Sequence, residues 1–236
     1  MDPALVGPLF ESRTQLEELR EELRASGLLD SLAAAQSDFA VNVVGETPRG
    51  RPYVFGGNPH RSALGGLYAV LRQLRPQTVV ETGVCNGVFT SVILLALERN
   101  DAGRLFSIDF PEYEGAAAAG EEIWSGKGGA VVPAGKEPGW LVPDRLRDRW
   151  QLTIGRSQDE LPPLLDRLGT IGFFLHDSEH SYECMSLEFG LAYPRLREGG
   201  VLASDDTTWN TAFADFAAAL PRPTYPLGES AAMLIK

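Results

Sequence analysis

One stretch, residues 79–90, constrains the fold of this chain more than any other part of its sequence. An apolar strand ends there at Glu81, two glycines (Gly83 and Gly87) follow, and an apolar run typical of a helix begins after Thr90. A strand, a glycine turn and a helix in this order form the first unit of a nucleotide-binding α/β sheet. Glycine lets the backbone approach a ligand closely, and the helix start presents unpaired N–H groups to an anion. The stretch therefore predicts a site for an adenosine-containing ligand.

The glycine spacing argues against a dinucleotide as this ligand. It reads Glu-x-Gly-x-x-x-Gly, whereas dinucleotide-binding sheets carry Gly-x-Gly-x-x-Gly. Glu81 lies at the end of the predicted strand, where its carboxylate can accept hydrogen bonds from a cation or a hydroxyl. An ordinary strand–turn–helix corner without a ligand is the alternative.

Strands and helices alternate along the rest of the chain. Further strands are predicted at Arg104–Asp109, Trp150–Ile154, Ile171–Asp177 and Val201–Ser204, and a helix follows each of them. The fourth of the five strands is continuously apolar from residue 171 to residue 175, as expected for a strand covered on both faces. This order predicts an α/β fold with a doubly wound, mostly parallel sheet.

Two segments lie outside this alternation. Residues 1–58 are predicted to form an N-terminal helical cap or lid, whose amphipathic helix over 14–29 covers the core, closes over a ligand or contacts a second copy. Residues 59–236 then form the α/β domain, with Asn58 as the N-cap of its first helix, 59–74. Within it, residues 110–143 form an insertion with seven glycines and two tryptophans. We expect a lid or a substrate wall there; a disordered connector is the alternative.

The charge of the chain excludes several kinds of partner. Its 21 Lys and Arg residues stand against 32 Asp and Glu residues, which gives a formal net charge of −11. No basic surface is therefore expected for nucleic acid or for an anionic membrane. No apolar run is long enough to span a membrane, the first ten residues lack the basic start of a signal peptide, and two cysteines are too few for a disulfide scaffold. We expect a cytoplasmic protein.

Carboxylates stand at the ends of four predicted strands, namely Glu81, Asp109, Asp177 and the pair Asp205-Asp206. Ligands of such sheets bind across the carboxyl ends of the strands, and an acid after the second strand is the expected acceptor for ribose hydroxyls. Carboxylates that share one edge repel each other unless a cation or a proton neutralises them, and oxygen donors suit Mg²⁺. Asp177, Asp205 and Asp206 are therefore candidate metal ligands. Separate loop carboxylates are the alternative.

His180 is the candidate general base. It follows Asp177 by three residues, where the next helix begins, so that its imidazole can point back over the same edge. Histidine titrates near neutrality and can take a proton from a substrate hydroxyl, whose pKa a bound metal would lower. A capping or surface histidine is the alternative.

In this order the motifs resemble those of class I S-adenosylmethionine-dependent methyltransferases. The resemblance covers about residues 77–206 and is closest to the metal-dependent small-molecule O-methyltransferases, which include catechol O-methyltransferase and the sugar O-methyltransferases of macrolide biosynthesis. It implies a seven-stranded Rossmann-like sheet. It is carried by residues 81–87, Asp109, the turn 155–159, Asp177 with His180, and the Asp205-Asp206 pair.

The resemblance also implies a role for each motif. S-adenosylmethionine would contact Glu81, Thr82, Gly83, Gly87, Thr90, Asp109, Ser157, Gln158 and Asp177. Phe89 occupies the position at which a hydroxyl residue often meets the cofactor carboxylate, so that Thr90 or Ser91 would take this role. Asp177, Asp205 and Asp206 would hold the divalent cation, with Asp-Asp where the family often has Asp-Asn. His180 falls on the position of the catalytic base.

The reaction implied is in-line methyl transfer from S-adenosylmethionine to a hydroxyl of a small molecule. By resemblance alone, a sugar or a glycosylated natural product is the preferred acceptor. The 110–143 insertion has no counterpart in the catechol enzymes, so their substrates cannot be carried over to this chain. Its Trp124 and Trp140, with Trp209 and Asn210 further along, could wall a sugar or an aromatic ring equally well. The alternatives are a nicotinamide-dependent oxidoreductase, which would need the absent Gly-x-Gly-x-x-Gly, and a non-catalytic cofactor-binding module. The N-terminal helix is compatible with a homodimer or a higher homo-oligomer.

Overall fold

The computed structural model describes residues 7–40, 62–113, 131–133, 135–228 and 230–236. Its helices are α1 (Arg13–Ala25), α2 (Leu28–Ala40), α3 (Ser62–Leu74), α4 (Val88–Asn100), α5 (Ser157–Leu168), α6 (Tyr182–Arg195) and α7 (Ala212–Ala219), with a 3₁₀ helix at Asp144–Arg149. Its strands are β1 (Thr78–Thr82), β2 (Arg104–Asp109), β3 (Glu112–Tyr113), β4 (Val131–Val132), β5 (Trp150–Ile154), β6 (Ile171–His176), β7 (Leu196–Ser204), β8 (Thr224–Pro226) and β9 (Ala232–Ile235). Within these ranges, none of the helices is both long and apolar enough to cross a membrane.

Seven strands form one sheet in the order β5-β2-β1-β6-β7-β9-β8. The first five strands of this order pair in parallel, and β9 runs antiparallel to β7 and β8. The predicted doubly wound, mostly parallel, seven-stranded sheet is thus confirmed. Successive strands are added on one side of β1 and then, from β6, on the other. A reversal of strand order at this point leaves a crevice beyond the carboxyl ends of β1 and β6, where ligands of such sheets bind.

The central strands are apolar because both faces of the sheet are covered. Val79 and Phe173 pack into one hydrophobic cluster with α3 and α4, whereas Val80 and Phe174 pack into a second cluster with α5 and α6. All four side chains are fully buried. Burial of such side chains supplies about 1.5–3 kcal/mol each relative to an exposed state. The two clusters hold the strand ends, and hence the edge of the sheet, in fixed positions.

The N-terminal helices belong to the larger of these clusters. Leu16 and Leu23 of α1 are buried in it. The carboxylate of Glu22 accepts hydrogen bonds from the Tyr68 hydroxyl (2.8 Å) and the Arg72 guanidinium (3.2 Å), which join α1 to α3. The division of the chain at residue 58 stays a prediction, because residues 41–61 lie outside the described ranges. Residues 44–57, whose Gly and Pro content predicts a loop, and the predicted N-cap Asn58 lie there too.

Three local predictions differ from the structure. The single helix predicted over 14–29 is two helices, because Gly27 has a φ of +71° and ends the helical conformation between α1 and α2. Ser157, with Glu160 three residues later, is predicted from the sequence to be an N-cap, but Ser157 is the first residue of α5 and Arg156 occupies the N-cap position. The fifth predicted strand, Val201–Ser204, is only the last part of β7. This strand begins at Leu196, because Leu196 already pairs with Ile171 of β6.

Candidate active site

The strand register brings the predicted carboxylates to one edge of the sheet. Thr82, the last residue of β1, pairs with Ile108 of β2 and with His176 of β6, and His176 in turn pairs with Ser204 of β7. The residues that follow these positions are therefore level with one another. They are Gly83, Asp109, Asp177 and Asp205, and Asp206 comes next in the chain.

The glycines of the β1–α4 loop are required by main-chain contacts. Gly83 has a φ of +84°, and a Cβ atom there would lie 2.0 Å from the carbonyl oxygen of Asp177. Gly87 has a φ of +89°, and a Cβ atom there would lie 2.8 Å from the Cα of Gly139. Because any larger residue would push these segments apart, the glycine turn predicted from the sequence has a direct steric cause.

Asp109 braces this loop from the end of β2. Its carboxylate accepts hydrogen bonds from the backbone N–H groups of Val84 (3.1 Å) and Cys85 (3.3 Å). Burial raises the pKa of Asp109 to about 6, although these backbone hydrogen bonds oppose the shift. The predicted ribose acceptor is thus an acid in contact with the glycine loop.

Glu81 is fully buried beneath the loop. Its Oε2 accepts hydrogen bonds from the hydroxyls of Thr90 (2.9 Å) and Ser107 (2.7 Å). Its Oε1 is buried and has no hydrogen-bond partner among the residues that the structure describes. Burial raises the pKa of Glu81 to about 8. A buried oxygen without a partner is costly and indicates a place for a donor, such as a cationic group of a ligand. The structure therefore brings two predicted cofactor residues, Glu81 and Thr90, into contact.

His180 lies between two of the predicted metal ligands. Its Nε2 is 3.8 Å from Asp177 Oδ1 and 3.6 Å from Asp206 Oδ2. The indole ring of Trp209, half of whose surface is exposed, lies 5.1 Å from the imidazole between ring centroids. The backbone carbonyl of His180 accepts a hydrogen bond from the Asn210 amide (2.9 Å). A histidine beside two carboxylates and an exposed aromatic ring can remove a proton from a ligand held on that ring.

The predicted metal ligands suit a hard cation by their chemistry, since all three are carboxylates. Asp177 and Asp206 are brought together around His180, whereas Asp205 is buried and its Oδ1 accepts a hydrogen bond from Ser230 (3.4 Å). Within the described part of the chain, no three His, Cys, Asp or Glu side chains are grouped so that they could hold a metal ion. The ligand set is therefore not assembled in this arrangement.

The side chains of the turn after β5 contact α6. Ser157 Oγ lies 3.7 Å and Gln158 Nε2 lies 3.4 Å from the sulfur of Cys184 in α6. Two apolar residues at the ends of the neighbouring strands β2 and β5 are exposed. Phe110 directly follows β2, Ile154 is the last residue of β5, and each is about half exposed. Sequence reasoning missed both residues, because an apolar residue at a strand end gives no sign of its exposure. Their surfaces suit a planar ring.

The end of the 110–143 insertion packs on the glycine loop. Gly139 and Leu141 donate backbone hydrogen bonds to the carbonyl oxygens of Cys85 (2.7 Å) and Asn86 (3.1 Å). The Trp140 indole donates to the side chain of Asn86 (2.6 Å). This part of the insertion thus supports the loop, whereas Trp124, the other predicted wall residue, lies outside the described ranges.

Comparisons with known proteins identify a family and a shared fold for this chain. A family model described as a methyltransferase domain matches residues 80–207, a range that contains His180 and every strand-end carboxylate named above. The O-methyltransferase NovP is similar in structure, with 16% identity, a TM-score of 0.58 and coverage of 74% of this chain and 79% of that one. CalS11, a calicheamicin methyltransferase, has 18% identity, a TM-score of 0.55 and coverage of 86% and 91%. The Bacillus cereus O-methyltransferase in complex with S-adenosylhomocysteine has 15% identity, a TM-score of 0.55 and coverage of 89% and 91%.

No protein in the curated set matches the sequence. At the identities of these solved structures, the likeness shows the fold alone. The resemblance to class I methyltransferases found in the sequence is confirmed by the family match and by this shared fold.

The buried carboxyl of Glu81 predicts a pH-dependent stability. Its pKa is about 8 in the folded protein and 4.5 in an exposed side chain, so between these values the folded state holds a proton that the unfolded chain has lost. The free energy of unfolding should therefore fall as the pH rises from about 4.5 to about 8. Glu81→Gln, which mimics the neutral acid, should remove this part of the dependence.

Urea unfolding at about pH 5 and about pH 8 measures the effect. The wild-type protein should lose more stability than Glu81→Gln, and the exposed-site control Glu21→Gln should follow the wild type. An equal loss in all three proteins would contradict the burial of a neutral Glu81.

Proposed function

The chain belongs to the methyltransferase-domain family, and from that premise we propose that it transfers the methyl group of S-adenosylmethionine to a hydroxyl oxygen of a small molecule. The observation that carries the proposal is the position of His180, beside Asp177 and Asp206, at the edge that also holds the glycine loop. A base at this place can serve an acceptor hydroxyl that faces the cofactor. The similar structures NovP and the Bacillus cereus enzyme are O-methyltransferases, which supports oxygen as the acceptor atom.

The proposed cofactor site follows the strand ends. Glu81, through its unpartnered Oε1, would receive the ammonium of the methionine part, and Asp109 would receive the ribose hydroxyls. The main chain at Gly83 and Gly87 lets the cofactor approach closely, and Thr82, Thr90 and Asp177 would complete the methionine side. Ser157 and Gln158 would meet the edge of the adenine, with the exposed Phe110 and Ile154 against its faces.

The proposed reaction needs one proton acceptor and correct alignment. The imidazole of His180 takes the proton of the acceptor hydroxyl while the oxygen forms a bond to the methyl carbon. The carbon–sulfur bond breaks, and the sulfur keeps its electron pair as S-adenosylhomocysteine leaves. Asp177 and Asp206 then stabilise the imidazolium, because opposite charges within about 4–6 Å favour the charged form. Alignment of donor and acceptor supplies a large part of the rate.

A divalent cation, with Mg²⁺ preferred, forms the finer part of the proposal. Asp177, Asp205 and Asp206 would hold it, and the bound ion would supply Lewis-acid chemistry that lowers the pKa of the acceptor hydroxyl. Its support is the donor chemistry of three carboxylates, two of which lie beside His180.

The proposed acceptor is a sugar or a glycosylated natural product. Trp209 is exposed beside the His180 imidazole, and Tyr182, two residues after His180 in the chain, is exposed as well. Such rings pack against the apolar faces of sugars and of other rings. CalS11 is a TDP-rhamnose 3'-O-methyltransferase, which supports a sugar as acceptor. A cytoplasmic location and a homodimer or higher homo-oligomer remain parts of the proposal.

Replacement of His180 should stop catalysis and spare cofactor binding. His180→Ala removes the proton acceptor but none of the groups proposed to bind the cofactor, so turnover should fall by at least about 10²-fold. The dissociation constant of S-adenosylhomocysteine should stay within about threefold of the wild type, since the cofactor residues remain. Methyl transfer to a panel of glycosides and catechols, with calorimetry of the homologue, measures both.

The matched control for His180 is Glu183→Ala, an exposed residue in the first turn of α6, the helix that begins two residues after His180. It should keep wild-type turnover. Full activity of His180→Ala would remove this residue from the role of base. A wild-type protein that binds the cofactor product but methylates no acceptor would favour the non-catalytic binding module.

A chelator should remove activity, and Mg²⁺ should restore it. Loss of the ion would leave the acceptor hydroxyl with its ordinary high pKa, which His180 alone deprotonates poorly. Activity is measured after EDTA treatment and again after MgCl₂ is added in excess. Full activity in the presence of EDTA would assign Asp177, Asp205 and Asp206 to roles other than metal binding.

A further inference from the structure

Glu188 is a fully buried carboxylate that the proposed reaction does not use. It lies in α6, and both of its oxygens accept hydrogen bonds. Oε2 accepts from the Thr82 hydroxyl (2.5 Å) and from the His176 imidazole Nδ1 (2.6 Å). Oε1 accepts from the Ser178 hydroxyl (2.7 Å) and, more weakly, from the thiol of Cys184 (3.5 Å).

These donors come from separate parts of the site. Thr82 is the last residue of β1 and precedes Gly83 of the cofactor loop. His176 is the last residue of β6, and Ser178 lies in the turn between β6 and α6 that also carries Asp177 and His180. The Glu188 carboxylate therefore connects the end of β1, just before the glycine loop, to the turn that carries His180, the proposed base.

The carboxylate is held in its ionised form. Burial opposes ionisation, but the charge of His176 and the hydrogen bonds to Glu188 prevail and lower its pKa to about 2. An ionised carboxylate accepts only, and charge-assisted hydrogen bonds are stronger than neutral ones. A neutral side chain of the same shape would present a donor to at least one of the groups that now donate to it.

Two further contacts connect these residues to His180 and Asp177. The imidazole of His176 packs edge-on against that of His180, with 5.3 Å between ring centroids and an interplanar angle of 80°. The backbone N–H of Asp177 donates to the carbonyl oxygen of Thr82 (2.8 Å). A shift of Thr82, His176 or Ser178 would therefore move His180 or Asp177 relative to the cofactor loop.

We propose that Glu188 is a positioning residue for methyl transfer, which fixes the turn carrying Asp177 and His180 against the end of β1. The role rests on the proposed function, because it concerns the distance between methyl donor and acceptor. In-line transfer is sensitive to that distance, since a misplacement of about 1 Å can reduce a rate about 10²-fold. Glu188 itself touches neither reactant.

The experiment compares Glu188→Gln with the control Glu22→Gln. Glu22 also accepts hydrogen bonds from two side chains of another helix, but it joins α1 to α3 and none of its partners belongs to the site. Turnover is expressed per cofactor-binding site, counted by calorimetric titration with S-adenosylhomocysteine. This count removes any unfolded fraction from the comparison.

We expect Glu188→Gln to lower kcat about 10- to 100-fold, with less than about a threefold change in the dissociation constant of S-adenosylhomocysteine. Glu22→Gln should keep wild-type kcat even if its melting temperature falls. Ser178→Ala, which removes one of the donors to Glu188, should show a smaller loss of kcat and keeps the test available if Glu188→Gln does not fold.

Hydrogen exchange at the Asp177 amide supplies a readout that needs no acceptor. Because this amide bonds to Thr82, its exchange should be faster in Glu188→Gln or Ser178→Ala than in Glu22→Gln. Wild-type kcat per site, an equal loss of kcat and of cofactor affinity, or unchanged exchange at Asp177 would each overturn the positioning role. Absence of methyl transfer in the wild type would instead count against the proposed function, and the exchange measurement would still decide whether Glu188 holds the turn.

Discussion

Gly83 lies so close to the turn after β6 that a Cβ atom at this position would come within 2.0 Å of the Asp177 carbonyl oxygen. This main-chain contact joins the loop after β1 to the turn that carries Asp177 and His180. It exists because Thr82 and His176 are level in adjacent parallel strands, and because a residue with positive φ follows Thr82. The candidate site depends on this contact, since it brings the glycine loop and the proposed base, His180, close together.

The charges at this edge fit a cationic ligand. Glu81 and Asp109 are buried acids whose pKa values are raised, and Asp177 and Asp206 both lie beside Nε2 of His180. S-adenosylmethionine carries a positive sulfonium and an ammonium, and a positive ligand at this edge would favour the ionised forms of these acids. Glu188 differs from them, because its charge is matched inside the protein by His176 and two hydroxyls. The Glu188 carboxylate is thus satisfied by groups of the protein itself, whereas the acids at the strand ends are those that we propose for ligand binding.

The sequence was sufficient to predict the elements whose cause is local. The strands 104–109 and 150–154 have the predicted bounds, and the two glycines of the cofactor loop lie at the predicted turn. Gly27 was not recognised as a helix break, because one glycine within an amphipathic pattern is compatible with a continuous helix. Ser157 has the residue type of an N-cap, but the helix begins one residue earlier than that role requires and its hydroxyl faces Cys184.

The remaining features depend on contacts between distant parts of the chain. Glu188 and Thr82 are 106 residues apart, and the sequence around Glu188 reads as an ordinary helix. The exposure of Phe110 and Ile154 depends on what the neighbouring strands leave uncovered. Glu81 was predicted at a strand end, but its bonds to Thr90 and Ser107 follow from the pairing of β1 with β2. Such contacts are properties of the packed sheet.

The central claim is that the edge formed by β1, β2, β6 and β7 binds S-adenosylmethionine. Isothermal titration of the wild-type protein with S-adenosylhomocysteine and, separately, with NAD tests this claim most directly. We expect one site per chain for S-adenosylhomocysteine and no measurable heat of binding for NAD. Binding of NAD without binding of S-adenosylhomocysteine would contradict it.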